Sequence, residues 1–404
     1  MKSNKLLKQL IDEFPKSKKI ISILIRLIKK CYMVIINKTL GVDEKKAVFI
    51  SFLGKTYSDN PKAISETLYE ISPDFKIIWL FNNPEEKKKI VSSYVKCVKT
   101  GSIEALNQLA TAKFWVDNFP KSIFHYKSRK QVYIQTWHGD RGFKKVLYEV
   151  RTLLPNGHYK EGDLIEPKNC NLAVSGSRYG DDVYRAAFGY NGEILKVGTP
   201  RNDLLLSVDK ERVKYIKQTL NIPENKKILL YAPTFRDSNR NELQDISNID
   251  LIKTLICLED KMGGEWVCLT RSHAASKGLR DIESDKSIIK NVSNYEDMAD
   301  LLLISDFLIT DYSTSAGDFV LLNRPVILFQ YDINDYVKND RQLHFDMSDS
   351  PYIIAETQEE LFKRINELTD EMIIKNCKDI LEFYGTVETG EASKRVVEYM
   401  LSKL

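Results

Sequence analysis

Short apolar runs recur along this chain, each followed by a longer amphipathic stretch, and no other feature constrains the fold as much. Residues 47–52, 76–81, 95–98, 114–116, 132–135, 172–175 and 194–197 read as strands. Helical stretches such as 61–71, opened by a proline, lie between most of them. Strands that are apolar on both faces need cover on both faces, so the pattern predicts a parallel sheet with helices on each side. After Gly198-Thr199-Pro200-Arg201-Asn202-Asp203 the series restarts. Strands are expected at 227–232, 266–270, 307–310 and 325–329, with helices over 249–259 and 316–322. Ser293-Asn294-Tyr295-Glu296 and Thr357-Gln358-Glu359-Glu360 read as capping boxes, the first opening a helix that runs to about Ile304.

The expected fold class is therefore α/β, with two doubly wound Rossmann-like domains behind a basic helical segment. A chain of 404 residues is too long for one ordinary core. The expected divisions are 1–40, 41–205 and 206–404. Two such domains place a ligand site in the crevice between them, at the carboxyl ends of their strands.

Residues 1–40 hold ten Lys/Arg and two acidic residues, a net charge of +8 within a chain total of +4. The body is thus mildly acidic, which argues against a nucleic-acid groove. In the stretch 16–30, apolar residues alternate with Arg26, Lys29 and Lys30, which interrupt any spanning segment. A helix lying on an anionic membrane surface is expected, each basic residue adding about 1 kcal/mol near the headgroups. The alternative is a helix docked on the body. No signal peptide is expected, and six scattered cysteines without a C-x-x-C pair fit a reducing compartment.

The candidate chemistry lies where strands end. Val132-Tyr133-Ile134 leads into Gln135-Thr136-Trp137-His138-Gly139-Asp140-Arg141-Gly142-Phe143-Lys144-Lys145. A titratable residue at a strand end, followed by a basic helix start, suits anion binding and proton transfer. In the second half, Tyr231-Ala232-Pro233-Thr234-Phe235-Arg236, Thr270-Arg271-Ser272-His273 and Thr310-Asp311-Tyr312-Ser313-Thr314-Ser315 all follow strands. Three hydroxyl residues between a strand and a short helix can cradle a phosphate, and Asp318, one turn on, is expected beside a ribose. Arg201, Arg236 and Arg271 suit bidentate phosphate contact. Simple capping and surface ion pairs are the alternatives for each taken singly.

This set, together with Gly198-Thr199-Pro200-Arg201-Asn202-Asp203, Ile304-Ser305-Asp306-Phe307-Leu308-Ile309-Thr310-Asp311-Tyr312-Ser313-Thr314 and Asn323-Arg324-Pro325, resembles the CDP-glycerol glycerophosphotransferase family of teichoic-acid and capsule enzymes. The resemblance spans roughly residues 110–350. It implies a glycosyltransferase-B-like fold and transfer of a polyol phosphate from a CDP-polyol donor to a hydroxyl of a lipid-linked acceptor, with CMP released. It maps the family's two functional histidines onto His138 and His273 and its donor-phosphate loop onto Ser313, Thr314 and Ser315. The donor-binding set expected is Gly139, Arg201, Thr234, Arg236, Arg271, Asp311, Ser313, Thr314, Ser315 and Asp318. No cofactor or metal cluster is expected, though a divalent ion carried by the substrate is compatible. The expected location is peripheral, on the cytoplasmic face of the cell membrane. After His138-Gly139 the family's usual Thr-Pro-Leu-Lys gives way to Asp140-Arg141-Gly142-Phe143. The alternatives are a nucleotide-sugar glycosyltransferase of the same fold, a ribitol-phosphate transferase, and a membrane scaffold without turnover.

Overall fold

A computed structural model of the chain describes residues 15–119, 126–150, 169–234, 249–271 and 288–404. Two parallel sheets form. The first contains β1 (Asp43–Ile50), β2 (Lys76–Phe81), β3 (Val95–Lys99), β4 (Ala112–Asp117), β5 (Val132–Gln135), β6 (Leu172–Ser175) and β7 (Glu193–Lys196), in the order β3-β2-β1-β4-β5-β6-β7. The second contains β8 (Lys227–Ala232), β9 (Trp266–Thr270), β10 (Ile289–Asn291), β11 (Phe307–Thr310), β12 (Val326–Phe329) and β13 (Ile353–Ala355), in the order β10-β9-β8-β11-β12-β13. Of these, β10 and β13 have three residues each and did not stand out in the sequence.

Alternation along the strands builds two apolar layers on the first sheet. Ala47 and Phe49 of β1 pack with Ile64 and Leu68 of α2 (Asp59–Ile71). Val48 and Ile50 face the other way, toward Leu106 and Leu109 of α3 (Ile103–Thr111) and Val183 and Tyr184 of α4 (Arg178–Ala186). The helix named α1 spans Pro15–Leu40. The second sheet is covered by helices that include α5 (Lys210–Thr219), α6 (Leu251–Met262), α7 (Met298–Ile304), the short α8 (Ser315–Phe319), α9 (Gln358–Glu367) and α10 (Asp370–Tyr384). The last helix, α11 (Ala392–Leu401), crosses back: its Val396, Val397 and Met400 complete the first sheet's core against α2.

α1 divides into two parts. Met33 is fully buried, Tyr32 Oη donates to Asn107 Oδ1 at 2.8 Å, and Asn37 Nδ2 donates to Ala110 O at 2.7 Å. This end is therefore docked on α3. On the opposite side Ile20, Ile23, Leu24, Leu27, Ile28 and Ile35 form a stripe at helical spacing, each 49–68% exposed. No helix among the described residues is long and apolar enough to cross a membrane.

Two local expectations are corrected. The start of α7 is capped by Asp297, whose side chain accepts from Ala299 N, and not by a box at Ser293. Glu296 instead reaches the first domain, pairing with Lys87 and accepting from Tyr57 N at 3.0 Å, beside a Lys62–Asp297 bridge of 3.1 Å. Residues 139–146 are not helical either. Residues 143–145 run extended and pair with the second domain, Lys145 N donating to Gln342 O at 2.9 Å and His344 N to Phe143 O at 2.8 Å.

Candidate active site

In each sheet the strand order reverses between two neighbours, β1/β4 in the first and β8/β11 in the second. Loops leaving adjacent strands in opposite directions open a crevice there. At the first switch point Phe52 N donates to Asn118 Oδ1 at 2.8 Å. At the second, Asp311 Oδ1 accepts from Thr234 N at 2.8 Å, from the Thr234 hydroxyl, and from Tyr312 N at 2.6 Å. Thr234 and Asp311 thus tie the two loops of the second switch point together.

His138 is half-buried at the end of β5. Its Nδ1 lies 2.7 Å from Asn118 O, and Phe119 stacks on its ring at 5.5 Å between centroids, with Phe52 tilted at 5.2 Å. Burial pushes its pKa down, opposed by the Asn118 hydrogen bond and by the Asp59 charge. The imidazole is held neutral, as a general base requires. Of the seven non-glycine residues with left-handed φ among the described residues, Phe52, Leu53 and Trp137 in the loops after β1 and β5, and Asp59 at the first position of α2, lie near this histidine. Such backbone is strained and persists where surrounding bonds over-determine it. Here Asn60 supplies those bonds. It is fully buried, its Nδ2 donates to Trp137 O at 2.9 Å and Thr136 O at 3.2 Å, and its Oδ1 accepts from Arg201 N at 3.0 Å. Its signal in the sequence is the Ser58-Asp59-Asn60 run just before Pro61, where Pro61 alone reads as the helix opening.

The His138 loop and the hydroxyl loop meet. A Cβ placed on Gly139 would sit 3.3 Å from Thr314 Cγ2, and one on Gly142 3.0 Å from the same atom. Ser315 Oγ donates to Ser313 Oγ at 2.8 Å, so the hydroxyls cluster at the mouth of α8. Arg271 follows β9. Its Nη1 is buried and has no hydrogen-bond partner among the described residues, and burial lowers its pKa against the opposing charges of Asp297 and Glu296. A buried guanidinium N–H without an acceptor is what an anion would meet.

Two expected donor contacts are replaced by buried ion pairs. Asp318 Oδ1 accepts from Arg141 Nη2 at 2.7 Å and Asn202 Nδ2 at 2.9 Å. Its Oδ2 accepts from Arg201 Nε at 3.0 Å and Nη2 at 2.8 Å. The carboxylate's acceptor positions are filled, so Asp318 is no ribose ligand here, and Arg201 is spent on Asp318 rather than on a phosphate. Arg141, which the sequence places in a basic helix start suited to an anion, is fully buried. Arg236 and His273 lie outside the described residues.

The model of the CDP-glycerol:poly(glycerophosphate) glycerophosphotransferase family matches residues 31–402. The chain belongs to this family. It is 34% identical over 374 residues to a teichoic acid poly(glycerol phosphate) polymerase of Staphylococcus epidermidis, covering 89% of this chain and 51% of that protein. It is also 34% identical over 365 residues to a teichoic acid glycerol-phosphate transferase of Staphylococcus aureus, covering 87% and 91%. It therefore spans about half the length of the longer polymerases and nearly all of the shorter relatives. A solved structure of the wall teichoic acid polymerase TagF superposes with a TM-score of 0.80 at 30% identity, covering 97% of this chain and 98% of that one. Likeness to a UDP-bound Staphylococcus aureus protein, TM-score 0.53 at 14% identity, reflects the fold alone.

Proposed function

We propose that this chain transfers glycerol phosphate from CDP-glycerol to a hydroxyl of a lipid-linked acceptor in teichoic-acid-type polymer synthesis, releasing CMP. The observation that carries the reading is the contact of the His138 loop with the Ser313–Ser315 loop across the crevice, Thr314 Cγ2 lying 3.3 Å from the Cβ position of Gly139. A base and an anion cradle from different domains meet where an acceptor hydroxyl and a donor pyrophosphate have to meet.

In the reaction the acceptor oxygen bonds to the β-phosphorus, and the bond from that phosphorus to the bridging oxygen breaks. CMP leaves with the bridging oxygen, and His138 Nε2 takes the acceptor proton. Positioning and electrostatics do most of the work in such transfers. Arg271 and the hydroxyls of Ser313, Thr314 and Ser315 bind the pyrophosphate. His273 and Arg236 join them on the strength of the family resemblance, stabilising charge on the leaving CMP. Thr234 and Asp311 shape the floor of the donor side.

The acceptor is met at the membrane. The exposed apolar stripe of α1 enters the headgroup layer, with Arg26, Lys29 and Lys30 beside it, and sets the enzyme on the cytoplasmic leaflet as a peripheral protein. The test is a donor screen on the full chain with CDP-glycerol, CDP-ribitol and UDP-sugars, reading CMP or UDP. CMP release from CDP-glycerol, lost in His138→Ala, is expected. UDP release would move the chain to sugar transfer.

A further inference from the structure

The ion-pair cluster between the domains does more than join them. Arg141 stands three residues after His138 and enters the second domain at the end of α8, whose first turn holds Ser315. Its Nε donates to Gly317 O at 3.1 Å and its Nη2 to Asp318 Oδ1 at 2.7 Å. Its Nη1 pairs with Glu388 Oε1 at 2.8 Å, and Glu388 Oε2 accepts from Thr199 N at 2.8 Å. One side chain therefore binds the histidine loop to the helix that begins with the donor loop, and ties both to the turn carrying Arg201. The fit is close: a Cβ on Gly317 would lie 2.6 Å from Arg141 Cβ and 3.1 Å from Arg141 O. Gly317 is helical with an ordinary negative φ, so the missing side chain serves space and not backbone conformation.

We propose that Arg141 is a positioning residue that fixes the separation between His138 and the donor-phosphate loop, holding base and phosphorus at reacting distance. The inference rests on the function proposed above, because only a reaction between groups on the two loops gives that separation a catalytic meaning. A guanidinium suits the task. Its planar fork bonds the Gly317 carbonyl and the Asp318 and Glu388 carboxylates in fixed directions, with Asp140 Oδ2 at 3.4 Å from Nη1, whereas an ammonium at the same place keeps the charge and loses the directions. Misplacement of reacting atoms by an ångström costs turnover far more than binding. The hydrogen bonds of Arg141 go to Gly317, Asp318, Asp140 and Thr199, and its further ion pair to Glu388, so donor affinity is left to the donor-loop hydroxyls and Arg271.

The test uses the full chain with Arg141→Lys and Gly317→Ala, the second pressing a methyl against Arg141 without altering any charge. CMP release is measured with CDP-glycerol and a soluble glycerol-phosphate-primed acceptor, CDP-glycerol affinity by calorimetry, and amide exchange across 139–145 and 313–319. The expected result for each variant is a kcat lowered by about tenfold or more, a donor Kd within about twofold of wild type, and faster exchange in both segments together. The double variant should be little worse than either single one, since both act through one contact. Unchanged kcat, or a donor Kd that weakens in step with kcat, overturns the positioning role. A wild-type protein that releases no CMP from any CDP-polyol sinks the proposed function instead. In that case unchanged exchange of the two segments in Arg141→Lys removes the loop coupling as well, and coupled acceleration keeps it.

Discussion

The backbone carbonyl of Asn118 meets Nδ1 of His138 at 2.7 Å. A carbonyl oxygen only accepts, so the imidazole proton sits on Nδ1 and the lone pair is left on Nε2. A base is ready when neutral, and burial makes His138 easier to deprotonate.

The acid limb of kcat/KM should therefore have its midpoint below the ordinary histidine value of about 6.5. Activity is present above that midpoint and lost as pH falls through it. His138→Gln should lower kcat by at least about 100-fold, the lower end of what general bases supply. A pH profile of CMP release checks both; a limb centred above neutrality would contradict the assignment.

Asn60→Ala should disturb His138 without touching the donor. The change removes three hydrogen bonds that hold the left-handed Trp137, φ 50°, and the Arg201 turn. Unmet buried groups of this kind cost about 1–3 kcal/mol, which urea denaturation will read. Turnover should fall by about tenfold with donor affinity kept, as loss of orientation implies. A variant with wild-type turnover would show that the turn holds itself.

Asp318 makes stability depend on pH in the acid range. Burial pushes its carboxyl up, but Arg201 and Arg141 outweigh that and bring it to about 2. A depressed carboxylate contributes stability above its unfolded value of about 3.9 and loses it as pH falls toward the folded value. Asp318→Asn leaves two buried arginines short of a partner, at a cost of about 3–5 kcal/mol near neutrality. Chemical denaturation of both proteins should show that gap narrowing between about pH 4 and about pH 2. A gap independent of pH would mean that the aspartate acts through shape alone.

Leu24→Glu with Ile28→Glu should abolish sedimentation with anionic vesicles while leaving the fold intact, because both side chains are about half exposed or more, at 51% and 68%. Removal of residues 1–40 would be a poorer test, since it also strips Met33 from the core. Wild-type binding should weaken with salt, screening acting over about 8 Å at physiological strength. Vesicle binding that survives the paired substitution would move the membrane contact to the body of the protein.

Much of this was legible before any fold was in hand. Strands such as 132–135 and 307–310 coincide with apolar runs of the sequence, and the two crevice loops stand out because chemistry-bearing residues cluster just past the ends of those runs. The short β10 and β13 were missed because three residues give no periodicity. Arg141 reads as part of an anion-holding helix start, and Asp318 as a ribose ligand, because each sits in a locally polar stretch.

The sequence by itself determined the alternation of strand and helix, the chemistry-bearing loops after β5, β8, β9 and β11, and the amphipathic stripe of α1, since burial of an apolar side chain is decided by its position within its own element. Only the tertiary structure decided which charges meet. Arg141 and Asp318 lie 177 residues apart and bond at 2.7 Å. Whether an arginine faces water, a phosphate or a carboxylate depends on what the other domain brings against it, and no local pattern carries that.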